Sequence, residues 1–499
     1  MKNKLLTIGG IVACMVFFPI IAGATGTSTG KAEVLESITE EELKGYVQEI
    51  THEKYKGRVA GSPEYMDVAA YVAGLLEQWD IEPLGDDGTY FQNFPWPYTE
   101  VLSVGSFSLF MGDEKISYSA PADYYPGASS DNGSVKAEVV FAGYGISAPE
   151  LGYDDYNDID ITGKIVMIAS GTPYIGKNAD TLNLWGVYSG SVYKVENAHR
   201  KGAAGVLFLD KLANPSIPHF RDFHLVHVDK HVSEKILGIP ADTLLTGIRQ
   251  TKTSNSFLTD FEAEITSETV HHGEGRTANV IGYIPGTDPE LAKEAIILGA
   301  HLDAQGYLGF ELPGALDNAS GVADVLAAAR ALSEFKGKMK RSVVFLFFGA
   351  EEVGLVGSTF YCEHPAFNQE NTLLFMNLDM VGNGSGLALW HGESYPELFA
   401  HFSRNNEQFL NRSLRSSKGS MPVGRPRTDG LVFMLYGFRT LHVGAIDRVN
   451  PLYYHDPRDV AANLTYDIMR DVSRLMFLGV LDMANDDTIR ADQLFLIQE

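Results

Sequence analysis

The sequence predicts an α/β protein, with a mainly parallel, helix-covered sheet and a second, β-rich module. Three observations predict this. From Thr277 onward, runs of Ile, Leu, Val and Phe alternate with amphipathic helical patterns, as a parallel sheet covered on both faces requires. From about residue 101 to 266 the rhythm is different: short strands separated by glycine turns. The chain has 499 residues, 45% hydrophobic and 21% charged, which is enough for two or three folded units and a large core.

The elements follow in order. Lys2 and Lys4 precede an apolar run over 5–21, and Ala22-Gly23-Ala24 then offers a small-residue cleavage pattern. Residues 1–24 therefore read as a signal peptide, and the product is expected to be secreted or periplasmic. In the alternative, Ile11-Val12-Ala13-Cys14 is a lipoprotein box with Cys14 acylated, which would leave Met15-Val16-Phe17-Phe18 exposed at the new terminus. No other uninterrupted stretch approaches the roughly 20 apolar residues of a membrane span, so stable membrane insertion is not expected. With only Cys14 and Cys362, a disulfide framework is excluded. Thr39, followed by Glu42, marks a capped helix start, and Ser62-Pro63 opens a second helix to about residue 79. In the middle region strands are predicted over 137–145, 164–171 and 204–209. Strand 295–299, helix 319–332, strands 342–348, 372–378 and 439–443, and a closing helix over 463–481 complete the chain.

Thirty-nine Lys and Arg against 64 Asp and Glu give a net charge of −25, a field that repels the phosphate backbone. Nucleic acid is therefore not an expected partner. The chemistry gathers instead beyond the carboxyl ends of the predicted strands, where open α/β sheets place their sites. Strand 295–299 leads to His301 and Asp303, and Asp317 directly precedes a helix. Strand 342–348 leads to Glu351-Glu352, strand 372–378 to Asp379, and the last strand to Tyr454-His455. Taken singly, an acid before a helix is usually a cap and a Glu-Glu pair a solvated loop. In this order, two histidines and several carboxylates supply donors for two metal ions, with Asp317 the natural bridge. One of Glu351 and Glu352 would bind metal while the other takes a proton from water. Asp303, two residues from His301, is placed to accept its other ring N–H.

These motifs, Gly299-Ala300-His301-Leu302-Asp303, Leu316-Asp317-Asn318-Ala319-Ser320-Gly321, Phe348-Gly349-Ala350-Glu351-Glu352, Asn377-Leu378-Asp379-Met380 and Tyr454-His455, resemble those of the co-catalytic zinc peptidases that include bacterial leucyl aminopeptidases and glutamate carboxypeptidase. The resemblance implies a zinc-exopeptidase fold with two Zn2+ per chain and peptide substrates. His301 and Asp379 would hold one zinc, Glu352 and His455 the other, with Asp317 bridging. Glu351 would be the general base, Tyr454 would stabilise the oxyanion, and Asp303 would support His301. Phe141-Ala142-Gly143-Tyr144-Gly145, Asp160-Ile161-Thr162-Gly163-Lys164 and Lys201-Gly202-Ala203-Ala204-Gly205 resemble the protease-associated domain, which in this family is inserted into the peptidase. The implied division is residues 25–110 and 271–499 for the peptidase, and 111–270 for the insertion.

One motif departs from the family: many relatives have Ser-Asp-His where this chain has Thr428-Asp429-Gly430. The metal motifs do not encode which chain end is trimmed. An aminopeptidase needs anionic surroundings for the α-ammonium, which the acidic cluster provides. A carboxypeptidase needs a cation, for which Arg425 and Arg427 are the candidates. A glutaminyl cyclase-like transferase with one zinc, and a receptor-like binding protein without activity, are further alternatives on the same architecture. Elsewhere, the oxygen-rich stretch Asp154, Asp155, Asn157, Asp158 and Asp160 is a candidate calcium loop that lacks EF-hand spacing. His219, His224, His227 and His231 read as surface or loop residues, and Cys362 as a buried thiol following a helix. The sequence does not set an oligomeric state.

Overall fold

The computed structural model describes residues 30–174, 176, 178–421 and 426–493. The expected signal peptide with Cys14, and Arg425, lie outside the described residues. Among those described, the first large sheet has nine strands. Its spatial order is Glu82–Pro83, Arg276–Ile284, Ser342–Phe348, Ala295–His301, Thr372–Leu378, Thr440–Ile446, Gly386–Trp390 and Leu414–Ser416, and Phe91–Pro95 also pairs with Arg276–Ile284. The four strands from Ser342–Phe348 to Thr440–Ile446 are parallel, and Arg276–Ile284 and Gly386–Trp390 flank them antiparallel.

Alternation explains why these strands read as unbroken apolar runs. Val343, Phe345 and Phe347 point into one core with the helices Pro63–Gln78, Ser320–Ser333 and Tyr466–Asn485. Val344, Leu346 and Phe348 point into another with Tyr361, Val432 and Phe433. Each fully buried side chain of this size contributes roughly 1.5–3 kcal/mol. The amino-terminal helices belong to the first core. Thr39 accepts the Glu42 amide at the start of Glu40–Ile50, and Ser62 accepts the Tyr65 amide at the start of Pro63–Gln78. Cys362 is buried inside the helix Val356–Glu363 rather than after a helix.

The second sheet has eight strands in the order Glu114–Tyr118, Ser106–Met111, Phe257–Ser267, Gly133–Phe141, Ile165–Ile168, Gly205–Phe208, His224–Val228 and Tyr124–Pro126. Its first strand in the chain, Ser106–Met111, straddles the boundary drawn at residue 110. A core of Phe107, Val139, Phe141, Met167, Leu207 and Val226 is its own. His224 and His227 are not surface residues: their strand lies inside the sheet. His227 stacks on Phe208 with centroids 4.6 Å apart, and His224 Nδ1 lies 3.3 Å from Ser267 Oγ. The chain reaches this sheet along an antiparallel ribbon, in which Pro95 pairs with Arg276 and Tyr98–Val101 pairs with Thr269–His272.

Candidate metal centre

The parallel strands bring the acidic turns to one edge. Strand Ala295–His301 ends in His301, which is 1% exposed, and Ser342–Phe348 runs into Glu351 and Glu352. Thr372–Leu378 is followed at once by Asp379, and Asp317 sits in the turn before Ser320–Ser333. Ala350, Met380 and His455 have φ of 62°, 54° and 52°. Left-handed backbone at non-glycine residues is uncommon, and here it occurs at the ligand position His455 and at the neighbours of Glu351 and Asp379. Gly357 lets the following helix dock: a Cβ there would lie 2.1 Å from the Gly349 carbonyl oxygen.

The side chains meet as two sets sharing one residue. His301 Nε2 is 3.1 Å from Asp317 Oδ1 and 3.7 Å from Asp379 Oδ1. His455 Nε2 is 3.4 Å from the other oxygen, Asp317 Oδ2, and 3.1 Å from Glu352 Oε2. His301, Asp317 and Asp379 converge closely enough to hold an ion, as do Asp317, Glu352 and His455, and Glu351 converges with His301 and Glu352. These sets gather the five expected ligands and Glu351; Tyr454, 43% exposed, stacks its ring on His455 with centroids 3.7 Å apart.

Asp303 makes a different contact from the one expected. His301 Nδ1 lies nearest the Asp303 backbone oxygen, at 3.2 Å, with the carboxylate at 3.8 Å. The carboxylate is engaged elsewhere, accepting the amides of Glu351 at 3.0 Å and Glu352 at 3.1 Å. It thereby fixes the Glu-Glu turn, while its carbonyl fixes the imidazole.

Other supporting residues had no signature in the sequence. Asp459 accepts the amides of Leu316 and Asp317 at 2.8 and 3.1 Å. Asn318 donates to the Leu378 carbonyl and accepts the Gly321 and Met380 amides, joining the Asp317 and Asp379 turns. Arg58, 0% exposed, donates to the carbonyls of Leu302, Pro313 and Gly314. From the second sheet's side, the Ala213 carbonyl lies 3.0 Å from His455 Nδ1, and Tyr125 donates to Asp456 at 3.1 Å.

The electrostatics suit cations. Burial raises Glu351 well above the carboxylate range, opposed by His301 and reinforced by Glu352 and Asp429. Burial likewise raises Asp379, with Asp317 and Glu352 adding to the effect. Although burial opposes it, the nearby carboxylates push His455 up to about 10 and hold His301 well above its ordinary value. Partial burial and the carboxylates of Glu352, Asp317 and Glu351 keep the Tyr454 phenol protonated. Glu352 Oε1 and Asp379 Oδ1 are buried without a hydrogen-bond partner. Divalent cations would satisfy both oxygens and replace the histidine protons, so the donor set of nitrogen and carboxylate oxygen fits zinc.

The remaining expectations fall away from this centre. Asp155 turns inward to accept the Tyr144 and Ile146 amides, and Asp154 accepts Ser147 Oγ–H and the Tyr156 amide. Arg427 lines a separate cavity of about 500 Å³ in the second-sheet region. Asp429, which sequence reasoning left without a role, is 1% exposed, and burial raises it to about 7.

Fold and site define a class: an α/β protein with a buried cluster of histidines and carboxylates, able to hold metal, at its parallel strand ends. Residues 279–480 match the profile of Peptidase family M28, and residues 135–236 that of the PA domain. The carboxyl-terminal region thus carries the sequence pattern of peptidase family M28, with the PA-domain match ahead of it in the chain. Among curated proteins, an aminopeptidase of Pseudomonas aeruginosa is 26% identical over 332 residues, covering 65% of this chain and 54% of the relative. A probable leucine aminopeptidase 2 of Aspergillus oryzae is 25% identical over 341 residues, 68% of this chain and 58% of the relative. The chain thus spans a little over half the length of these relatives. Among solved structures, the aminopeptidase from Aneurinibacillus sp. strain AM-1 has a TM-score of 0.61 at 21% identity, covering 94% of this chain and 98% of that one. A zinc aminopeptidase from Bacillus subtilis has a TM-score of 0.61 at 19% identity, covering 92% and 98%. These two establish the shared fold. No described helix is long and apolar enough to cross a membrane.

Proposed function

We propose that the chain is an exported zinc aminopeptidase that removes amino-terminal residues from peptides. Two zinc ions would be held per chain, one by His301 and Asp379 and one by Glu352 and His455, with Asp317 between them. The observation that carries the reading is Asp317, which presents one carboxylate oxygen to each histidine. The names of the curated relatives support the reaction class, and the amino-terminal pattern of Lys2, Lys4 and the apolar run supports export.

Bound zinc supplies positive charge that polarises the scissile carbonyl and lowers the pKa of water. Glu351, which converges with His301 and Glu352, takes the proton of the attacking water as a carboxylate and passes it to the departing amine. Tyr454, kept as the phenol, donates a hydrogen bond to the carbonyl oxygen as that atom gains charge. The carboxylate-rich surroundings of the centre give the substrate's α-amine an anionic setting.

The test compares a peptide with leucine or glutamine first in sequence, its amino-acetylated twin, and the Glu351→Gln protein. Free peptide should be cleaved and the acetylated one spared, with a loss of about 10²–10⁴-fold in the variant. Metal analysis should give two zinc per chain. Equal cleavage of both peptides would refute the aminopeptidase reading.

A further inference from the structure

A second cavity, of about 510 Å³, opens beside the metal centre and shares Asp379 with it. Asn377, Asn383, His391 and His442 are among its lining residues. Asn377, 1% exposed, has neither its amide oxygen nor its nitrogen paired. His442 Nε2 and His391 Nδ1 are also buried without partners, and the two rings meet edge to face with centroids 5.0 Å apart. Gly430 makes the room: a Cβ at that position would lie 2.4 Å from His442 Cε1. Its φ lies outside the left-handed region, so space and not backbone freedom explains the glycine. Arg448 stands exposed at the mouth, and Trp390 is 36% exposed at the rim. Asp379 is the one carboxylate among the described lining residues.

We propose that this cavity receives the substrate's first side chain and selects a carboxylate or carboxamide terminus, glutamate or glutamine above leucine. The proposal rests on the aminopeptidase reading. With the scissile carbonyl at the metal centre, the adjoining cavity is where the first side chain extends. An apolar group there would leave Asn377, His442 and His391 dry and unpaired, and sites built with buried hydrogen-bonding groups reject ligands that cannot answer them. A planar terminal group with an sp2 oxygen accepts from the Asn377 amide and from an imidazole N–H. The neutral imidazoles suit either acid or amide, since burial drives His442 down to about 3 and lowers His391. Arg448 disfavours lysine and arginine by like charge and favours glutamate over glutamine.

The experiment measures kcat/KM of the zinc-loaded protein on peptides differing only in a first residue of Glu, Gln, Leu or Lys. Glu and Gln should exceed Leu at least about tenfold, with Lys the poorest. In His442→Phe the Glu/Leu and Gln/Leu ratios should fall about tenfold or more. Asn377→Leu, which removes unpaired buried groups and so spares the fold, should do the same. Arg448→Ala should lower Glu relative to Gln. Preference for leucine in the wild type, or ratios unmoved by both cavity variants, overturns the proposal. Calorimetric binding of free glutamine and leucine separates this from failure of the broader reading. If no peptide is hydrolysed, tighter glutamine binding that is lost in Asn377→Leu still upholds the cavity, and equal binding overturns it.

Discussion

Replacing Arg58 with Met should loosen the metal centre without touching any residue assigned to it. The guanidinium is fully buried and donates to Leu302 at 2.7 Å, Pro313 at 2.5 Å and Gly314 at 2.7 Å. The first carbonyl follows His301, and the other two precede Asp317, so one side chain holds the spacing between two ligand turns. Three hydrogen bonds from a charged donor, at about 1.5–3 kcal/mol each, give roughly 5–9 kcal/mol gross. Burying the charge costs several kcal/mol, partly offset by Asp303, Asp459 and Asp317. A net loss of about 3–5 kcal/mol is expected, similar to that on breaking a buried ion pair. At about 2 °C per kcal/mol for a unit this large, the melting midpoint should fall about 6–10 °C. Zinc affinity, measured by competition with a chelating dye, should weaken at least about tenfold. Arg58→Lys keeps the charge but cannot fork to three carbonyls, so it should recover less than half of the loss. A Met variant that melts within about 2 °C of wild type and binds zinc normally would refute the assignment.

Three other outcomes follow from the same structure. Chelation should lower the melting midpoint, because Glu351, Glu352, Asp317 and Asp379 then face one another uncompensated; an unchanged melt in excess chelator would count against a structural contribution from metal. Lys194, fully buried and bonded to the carbonyls of Tyr144, Ala169 and Gly171, is pulled down by burial to about 7. Unfolded lysine titrates near 10.4, so between those values the unfolded chain binds more protons. That contribution to stability should grow as pH rises from about 7 toward 10 and be lost as pH falls through about 7, a slope that Lys194→Met abolishes in denaturant titrations. Cys362, 8% exposed and with its thiol raised by burial, should resist thiol reagents until the protein unfolds; rapid labelling of the native state would contradict its placement.

What the sequence made legible was local. Strands 342–348 and 372–378 were read with the bounds they have, because a strand buried on both faces is an unbroken apolar run that stops abruptly. The residues at those stops are the ones that converge. The closing helix, expected over 463–481, runs Tyr466–Asn485 because Ala461–Asn463 forms a separate short turn first. Arg58 escaped notice because its acceptors lie 244 and 256 residues away along the chain. Asp459 is equally remote from the amides it receives, 143 and 142 residues on. Asp303 was singled out by its nearness to His301, yet its carboxylate serves the Glu351-Glu352 turn, since strand pairing brings that turn closer than the chain does. His224 and His227 were misplaced because histidine composition says nothing about which strand lies inside a sheet.

Pro95 and Arg276 face each other as register partners on adjacent strands. In a simple hairpin those two positions would be joined by two to five residues. The whole second sheet therefore occupies the place of a turn, and the first sheet's hydrogen bonds would close equally well around a short connection. A shortened chain of that kind is expected to fold its peptidase core, yet it would lose the Ala213 carbonyl that faces His455. The insertion is not needed to close the first sheet's ladder, yet it sets the Ala213 carbonyl against His455 and the Tyr125 hydroxyl against Asp456, so the metal centre borrows part of its frame from a segment that occupies the place of a turn.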